Sequence, residues 1–264
     1  MHLPLSSALA SIHRLASAPS TNDELLARAA TSAEFTVVVT TDQTAGRGRL
    51  GREWVAPPGQ CLAASVLLRP RMPAGETLGF DHWGWIPLIA GVAMSRAVAA
   101  VLPARAASLK WPNDVLVRGR KVCGILGELL PAGDGLVLGA GVNLTTPADG
   151  LPTPTSTSLA LEGATLEGDE LVDAVLSGWL DGFRGLYTEF LRLGGDEEGS
   201  GVRAVALEAC STIGQEVRVS LPGGGELVGI AIDIDRAGRI CVQSETDGRI
   251  QAVAAGDVTH LRYE

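Results

Sequence analysis

Lysine is nearly absent from this sequence. Lys110 and Lys121 are its only lysines, against nineteen arginines in 264 residues, and both fall in one twelve-residue window. The two cations differ: guanidinium is a flat, permanently charged fork, while ammonium is a compact point charge that approaches one oxygen closely. Two positions kept as lysine in an arginine-writing chain mark that window as one that needs ammonium chemistry. Cysteine is scarce too. Cys61, Cys123, Cys210 and Cys241 show no C-x-x-C spacing and no histidine partners, so they indicate neither a zinc site nor a disulfide framework. Long apolar runs are missing, none reaching the ~18 residues of a membrane span. Met1 to Ser20 is broken by Pro4, His13 and Arg14 and does not read as a secretion signal. The expected compartment is the cytoplasm, with no membrane partner. Net positive charge is also lacking: at −9 the chain should have no general affinity for nucleic acid, although a local basic pocket for a phosphorylated small molecule remains open.

What is present describes a folded globular chain, 46% hydrophobic and 19% charged, large enough for one substantial domain and a small one. Thr21-Asn22-Asp23-Glu24 reads as a capping box with Thr21 as cap, opening a helix to about Ala30. Phe35 to Thr41 and Cys61 to Leu68 read as strands. Pro87 to Leu102 is an apolar helix with Pro87 in its first turn. Strands near Val115 to Val117, Val122 to Leu130 and Gly135 to Leu144 are joined by short turns, which favours an antiparallel meander over parallel crossovers. Thr145 to Ser158, rich in Thr, Ser and Pro, is expected to be mobile. Asp169 to Leu193 is one helix or two, Gly194 to Gly201 a linker, and Arg203 to Cys210 a short helix. From Gly214 onward, short strands alternate with Gly/Asp turns, including Pro222-Gly223-Gly224-Gly225, and suggest a small β-barrel.

Two segments carry candidate chemistry. Gly46-Arg47-Gly48-Arg49-Leu50-Gly51-Arg52 formally matches a dinucleotide-binding G-x-G-x-x-G, but that motif needs a helix starting on the loop to hold the pyrophosphate. Pro57-Pro58-Gly59, soon after Trp54, forbids such a helix. There remains a loop whose glycines admit a ligand to the backbone and whose arginine forks pair with phosphate or carboxylate; a solvated basic turn is the plainer alternative. Lys110-Trp111-Pro112-Asn113-Asp114 and Lys121-Val122-Cys123-Gly124 form the second segment. Asn113 and Asp114 could equally make a simple turn. Gly139-Ala140-Gly141-Val142-Asn143 puts small residues on a strand, either for packing or for the close approach of a flat ligand.

Together these motifs resemble the bacterial biotin–protein ligases, in order and spacing, across most of the chain. The resemblance implies an α+β fold: a class II aminoacyl-tRNA synthetase-like catalytic domain with a mixed or antiparallel sheet over residues 1–211, then an SH3-like barrel over 212–264. It implies activation of biotin with ATP and Mg²⁺ as biotinyl-5′-AMP, then transfer to a lysine of a biotin carboxyl carrier domain. Carried over by position, Ser20, Thr21, Asn22 and Gln43 would meet the polar end of biotin. Gly46, Arg47, Gly48 and Arg49 would close over it, with Lys121 and Gly124 beside it. Arg49, Arg52, Trp54, Asn113, Lys121, Gly141 and Asn143 would hold ATP or the adenylate. Lys121, Arg49 and Asp114 would be catalytic, with Asp114 facing the incoming lysine, and no side chain is assigned to the metal. Because the Ser-Thr-Asn motif begins at residue 20, the monofunctional type without an N-terminal DNA-binding domain is expected, as a monomer or weak homodimer. Lipoate–protein ligase and a non-catalytic biotin sensor are the alternatives.

Overall fold

The computed structural model describes residues 1–55, 57–221, 225–254 and 257–260. The chain opens with α1 (Pro4–Leu9), β1 (Ile12–Arg14), α2 (Thr21–Arg28) and β2 (Val37–Thr40). A short hairpin of β3 (Gly46–Arg47) and β4 (Glu53–Trp54) precedes β5 (Cys61–Leu68) and α3 (Trp85–Ala100). Next come β6 (Ser108–Lys110), β7 (Asp114–Val117), β8 (Arg120–Leu129) and β9 (Leu136–Asn143). Helices α4 (Gly168–Arg192) and α5 (Val202–Ala209) lead to β10 (Glu216–Ser220), β11 (Glu226–Ile234), β12 (Ile240–Ser244), β13 (Ile250–Val253) and β14 (Asp257–His260).

Seven strands form the main sheet in the order β1-β2-β5-β9-β8-β7-β6. Only β1–β2 is parallel, so the sheet is mixed, and β7–β8–β9 is the meander that the short turns imply. The valine and leucine runs of β2 and β5 are buried along their whole length, because helices cover both faces of the sheet centre. On one side, α2 packs on β2, β5 and β9; on the other, α3 lies over β6, β7 and β8 with α4 outside it. Gly178 and Gly182, one turn apart on α4, face Ala97 and Ala93 of α3, so small residues let the two helices close up. The helical stretch Phe80–Ala100 is long and apolar enough to cross a membrane, but most of the hydrophobic side chains of its α3 portion are buried in this core.

Several boundaries differ from expectation. The α2 cap is Ser20, whose Oγ accepts from the Asp23 amide at 3.3 Å. Thr21 is already helical, and its hydroxyl is drawn to Ser65 and Gln43; Glu24 pairs with Arg28 instead of closing a capping box. Phe35 takes a left-handed backbone (φ 61°), which delays β2 to Val37. Asp169 to Leu193 resolves as a single helix. The Thr/Ser/Pro segment expected to be mobile is tied down at its far end, since Lys121 donates to Thr155 O and Thr157 donates back to Lys121 O, both at 2.8 Å.

The last five strands form an antiparallel sheet, ordered β13-β12-β11-β10-β14, whose inward Val217, Val219, Ile234, Ile240 and Val242 join the main core. Pro222, Gly223 and Gly224 of the expected turn lie outside the described residues. Two indoles pin the β11–β12 turn: Trp85 Nε1 donates to Arg236 O at 2.9 Å, and Trp111 Nε1 to Gly238 O at 3.0 Å. Gly84 permits that seat, because a Cβ there would run into the carbonyl of Ala237. Gly84→Ala should therefore cost about 1–3 kcal/mol, the usual penalty for overpacking. Gly185→Ala, on an open surface of α4 with nothing within 4 Å, should gain about 0.5–1 kcal/mol. Thermal unfolding of both variants checks this; equal midpoints would show that the turn is not seated as described.

Candidate functional site

Residues from both ends of the main sheet, the arginine loop and the last sheet converge on one cleft of about 400 Å³. A register shift builds its floor. β7 and β8 pair Asp114 with Gly124 and Val115 with Cys123, but then Leu116 with Lys121, so β8 carries one extra residue between the last two pairs. Side chains alternate along a strand, and a one-residue bulge reverses which face the next one takes. Lys121 thereby shares the cleft face with Asp114 and Gly124, while Val122 and Cys123 are both fully buried.

The floor is flat because it is glycine. Gly124 of β8 and Gly141 of β9 are partners across the ladder, and the Trp54 indole lies on them. A Cβ on Gly141 would stand 2.5 Å from Trp54 Cε2, and one on Gly124 3.2 Å from Cζ3. Trp54 Nε1 is buried there without a hydrogen-bond partner, and Lys121 Nζ sits 5.7 Å from the ring centroid. A flat bicyclic ring thus already fits this slot, beside a cation. Asn143, further along β9, lies at the same wall, but its amide is committed to Thr157 O at 2.9 Å.

At the other end the lining is neutral and polar. Gln43 Oε1 accepts from the Thr21 amide at 2.9 Å, and Ser65 Oγ donates to Asn22 Oδ1 at 2.6 Å. Asn22 Nδ2 donates to Glu128 at 2.5 Å, and Gly139 must be glycine because a Cβ would collide with Asn22 Oδ1. Ser20 caps the same helix start.

Cations fill the middle. Lys121 Nζ is 2.6 Å from Asp114 Oδ1. Arg49 Nη1 donates to Asn113 Oδ1 at 3.1 Å, while Asn113 Nδ2 donates to Ile125 O at 2.6 Å, so Asn113 braces the loop from the turn it occupies between β6 and β7. Burial pulls the Arg49 guanidinium below the ordinary arginine value, against the opposing pull of Asp114. Burial likewise lowers Lys110, which lines the same cleft and is no mere flank of the Trp111-Pro112 bend. Arg52 and Gly48 complete this stretch. No α-helix starts on the Gly-Arg loop, in keeping with rejection of a dinucleotide fold; it forms a two-residue strand and a single 3₁₀ turn, Arg49–Gly51, broken by Leu50 at φ 57°.

Arg47 turns outward instead of toward the cleft centre. Its fork reaches Asp23 at 2.6 and 2.5 Å and Glu128 at 3.0 Å, latching the loop to α2 and β8. The hydrogen bond from Arg47 holds the Asp23 carboxyl below its ordinary value. Gly46 stands behind the wall, not on it, with room for a Cβ denied by Gln43 Nε2 and Trp54 O. Arg47 still lines the cleft at its edge, as does every other residue that the resemblance assigned to the site, Gly46 apart. The sequence reading missed Thr153, Thr155 and Ser156 of the strap and Val258 from the last sheet, which line the cleft, and Ser65 and Glu128, which hold Asn22 from behind it. Glu128 was within reach of a period-two count from Gly124.

Among the described residues no cluster of three or more His, Cys, Asp or Glu side chains could hold a metal ion. The donor set fits a divalent cation carried in on phosphate oxygens, which keeps most ligands from substrate and water, better than a caged one.

Flat slot, cationic middle and neutral polar end define an acid-activating ligase pocket, and the comparisons agree. Residues 14–143 match the biotin/lipoate A/B protein ligase family, and residues 212–261 match the biotin protein ligase C-terminal domain. The biotin–acetyl-CoA-carboxylase ligase of Mycobacterium tuberculosis is 39% identical over 249 residues, covering 92% of this chain and 86% of that protein. The Paracoccus denitrificans ligase of the same name is 38% identical over 60% of this chain and 67% of its own length. A structure of the biotin protein ligase from Aquifex aeolicus in complex with biotin and ATP superimposes with a TM-score of 0.72 at 27% identity, covering 96% of this chain and 99% of that one. The chain belongs to the biotin protein ligase family.

The latch makes a checkable statement. Exposed ion pairs contribute about 0–1 kcal/mol, so Asp23→Asn should speed tryptic cleavage at Arg49 or Arg52 by roughly two- to fivefold. Unchanged cleavage would show that other contacts hold the loop.

Proposed function

We propose that this chain activates biotin with ATP to give biotinyl-5′-AMP and pyrophosphate, then transfers the biotinyl group to a lysine of a biotin carboxyl carrier domain. The observation that carries this reading is a cleft with two zones two residues apart on β9: a neutral polar end at Gly139, and a flat aromatic-sized floor at Gly141 and its partner Gly124 with Lys121 beside it. The first zone suits a ureido ring, and the second a purine whose phosphate meets the biotin carboxylate at Lys121. Residues 1–211 act as the catalytic domain and 212–264 as a small barrel, in a cytoplasmic protein working as a monomer or weak dimer.

In the first step the biotin carboxylate oxygen attacks the α-phosphorus and the bond to the pyrophosphate breaks. Two anions must approach, so Lys121, Arg49 and Arg52 act by supplying positive charge where it crowds. Trp54 leaves the glycine floor or stacks on the incoming purine. A Mg²⁺ ion on the phosphates would add charge neutralisation for the departing pyrophosphate. In the second step a carrier amine, deprotonated, attacks the mixed anhydride and AMP leaves. Asp114, released from Lys121 once phosphate takes its place, is the group to orient that amine and receive its proton. The latched loop keeps water from the anhydride in the interval. A lipoate ligase or a silent sensor is disfavoured by relatives that are named biotin ligases over most of the chain.

Incubation with biotin, ATP, Mg²⁺ and a carrier domain should add one biotinyl mass to the carrier. An unmodified carrier, with no pyrophosphate released, would reject the reading. Lys121→Ala should slow pyrophosphate release far more than Lys110→Ala, by several kcal/mol of barrier, roughly 10²–10³-fold; equal losses would sink the assignment. The floor can be split as well. Gly139→Ala should weaken biotin binding and leave ATP binding within about threefold, and Gly141→Ala should do the reverse. Isothermal titration of each ligand separates the two, and matching losses in both variants would contradict the two zones on β9.

A further inference from the structure

Behind Lys121, away from the cleft, stands a buried carboxylate that the reaction does not use. The Glu162 side chain is 1% exposed and does not line the cleft. Arg120 Nη2 donates to its Oε1 at 2.6 Å, Arg118 Nε lies 3.8 Å from Oε2, and Thr157 Oγ1 donates to Oε1 at 2.7 Å. Burying a carboxylate is expensive, and a residue needed only to fill space would not be glutamate.

Thr157 shows what the carboxylate holds. Its amide donates to Lys121 O at 2.8 Å, and its carbonyl accepts from Asn143 Nδ2 at 2.9 Å. With its hydroxyl on Glu162, all three polar groups of this fully buried residue are in use. Two residues earlier, Thr155 O takes the Lys121 amide at 2.8 Å. Lys121 pairs with Leu116 of β7 on one side, and on the other, past the end of β9, the strap grips both its backbone groups. Arg118 and Arg120 belong to the β7–β8 turn, where Arg118 has φ 50°, so Glu162 joins that turn to the strap.

We propose that Glu162 is a positioning residue: through Thr157 it fixes the backbone of Lys121 and the amide of Asn143, and so sets where the ammonium meets the phosphate. This rests on the biotin-activating reading above. It assigns work to a residue outside the cleft, on a segment whose composition gave no hint of it.

The test measures biotin-dependent pyrophosphate release, biotin binding in the absence of ATP, and thermal unfolding. Glu162→Ala and the near-isosteric Thr157→Val should each lower kcat by about tenfold or more and raise the KM for ATP. Biotin affinity should stay within about threefold, because the strap does not touch the Asn22 end. Glu162→Gln, which keeps an acceptor for Thr157, should recover most of the rate. The double variant should be no worse than the poorer single one, within about twofold, as expected for residues acting through one contact. If Glu162→Ala does not fold, Thr157→Val with Glu162→Gln carries the same comparison. Rates equal to the wild type, additive losses, or a parallel fall in biotin affinity and melting temperature would each overturn the proposal. Wild-type protein that releases no pyrophosphate would instead reject the function itself.

Discussion

One extra residue in β8 decides the chemistry of the cleft. Without the extra residue Val122 between Lys121 and Cys123, strand alternation would turn Lys121 to the face of the sheet where α3 packs. An ammonium there would meet only apolar side chains and be costly to bury. With the bulge, Lys121 reaches Asp114 at 2.6 Å and stands over the glycine floor, while Val122 and Cys123 fill the core behind it. At Lys121 β8 has run past the end of β9, so its backbone groups on that side need other partners. The strap supplies them, through Thr155 and Thr157. Bulge, strap and buried Glu162 therefore converge on one residue, Lys121.

Charge is distributed to the same end. The protein as a whole carries −9, yet five cations gather around one cleft: Arg47, Arg49, Arg52, Lys110 and Lys121. A group of like charges is held together only by local opposition. Asp114 opposes both Lys121 and the lowered Lys110, and Asp23 with Glu128 takes Arg47 out of the crowd. An anionic ligand entering the middle of the cleft would meet cations whose protein partners can be exchanged for it. Trp54, resting on Gly141 with its indole N–H unpartnered, marks a slot whose size and flatness suit an aromatic ring.

Much of this was legible in the sequence, for physical reasons that differ by element. Cys61 to Leu68 was found to the residue because an apolar run bounded by turns has few other uses. The lysine window stood out by composition alone, and the Pro57-Pro58-Gly59 stop excluded a helix after the arginine loop. What stayed hidden depended on pairing across distance. Nothing local distinguishes Thr21 from Ser20 as a cap; Ser65, forty-four residues on, decides it by claiming the Thr21 hydroxyl. Glu162 and the Thr/Ser/Pro strap looked unremarkable because their partners, the Lys121 backbone and the arginines of a distant turn, are not announced by any periodicity. The Arg47 latch was likewise invisible, since Asp23 and Glu128 reach it from different elements.

The central claim is that biotin binds at the Gly139 end and the nucleotide on the Gly141 floor, with Lys121 where their reacting groups meet. A crystal structure with a non-hydrolysable biotinyl-adenylate analogue tests it most directly. The account predicts the ureido ring at Asn22 and Gly139, Lys121 moved from Asp114 onto a phosphoryl oxygen, and the purine against the Gly141 floor. A ligand bound in the reverse sense, or a Lys121 still paired with Asp114 and out of reach of the phosphate, would contradict it.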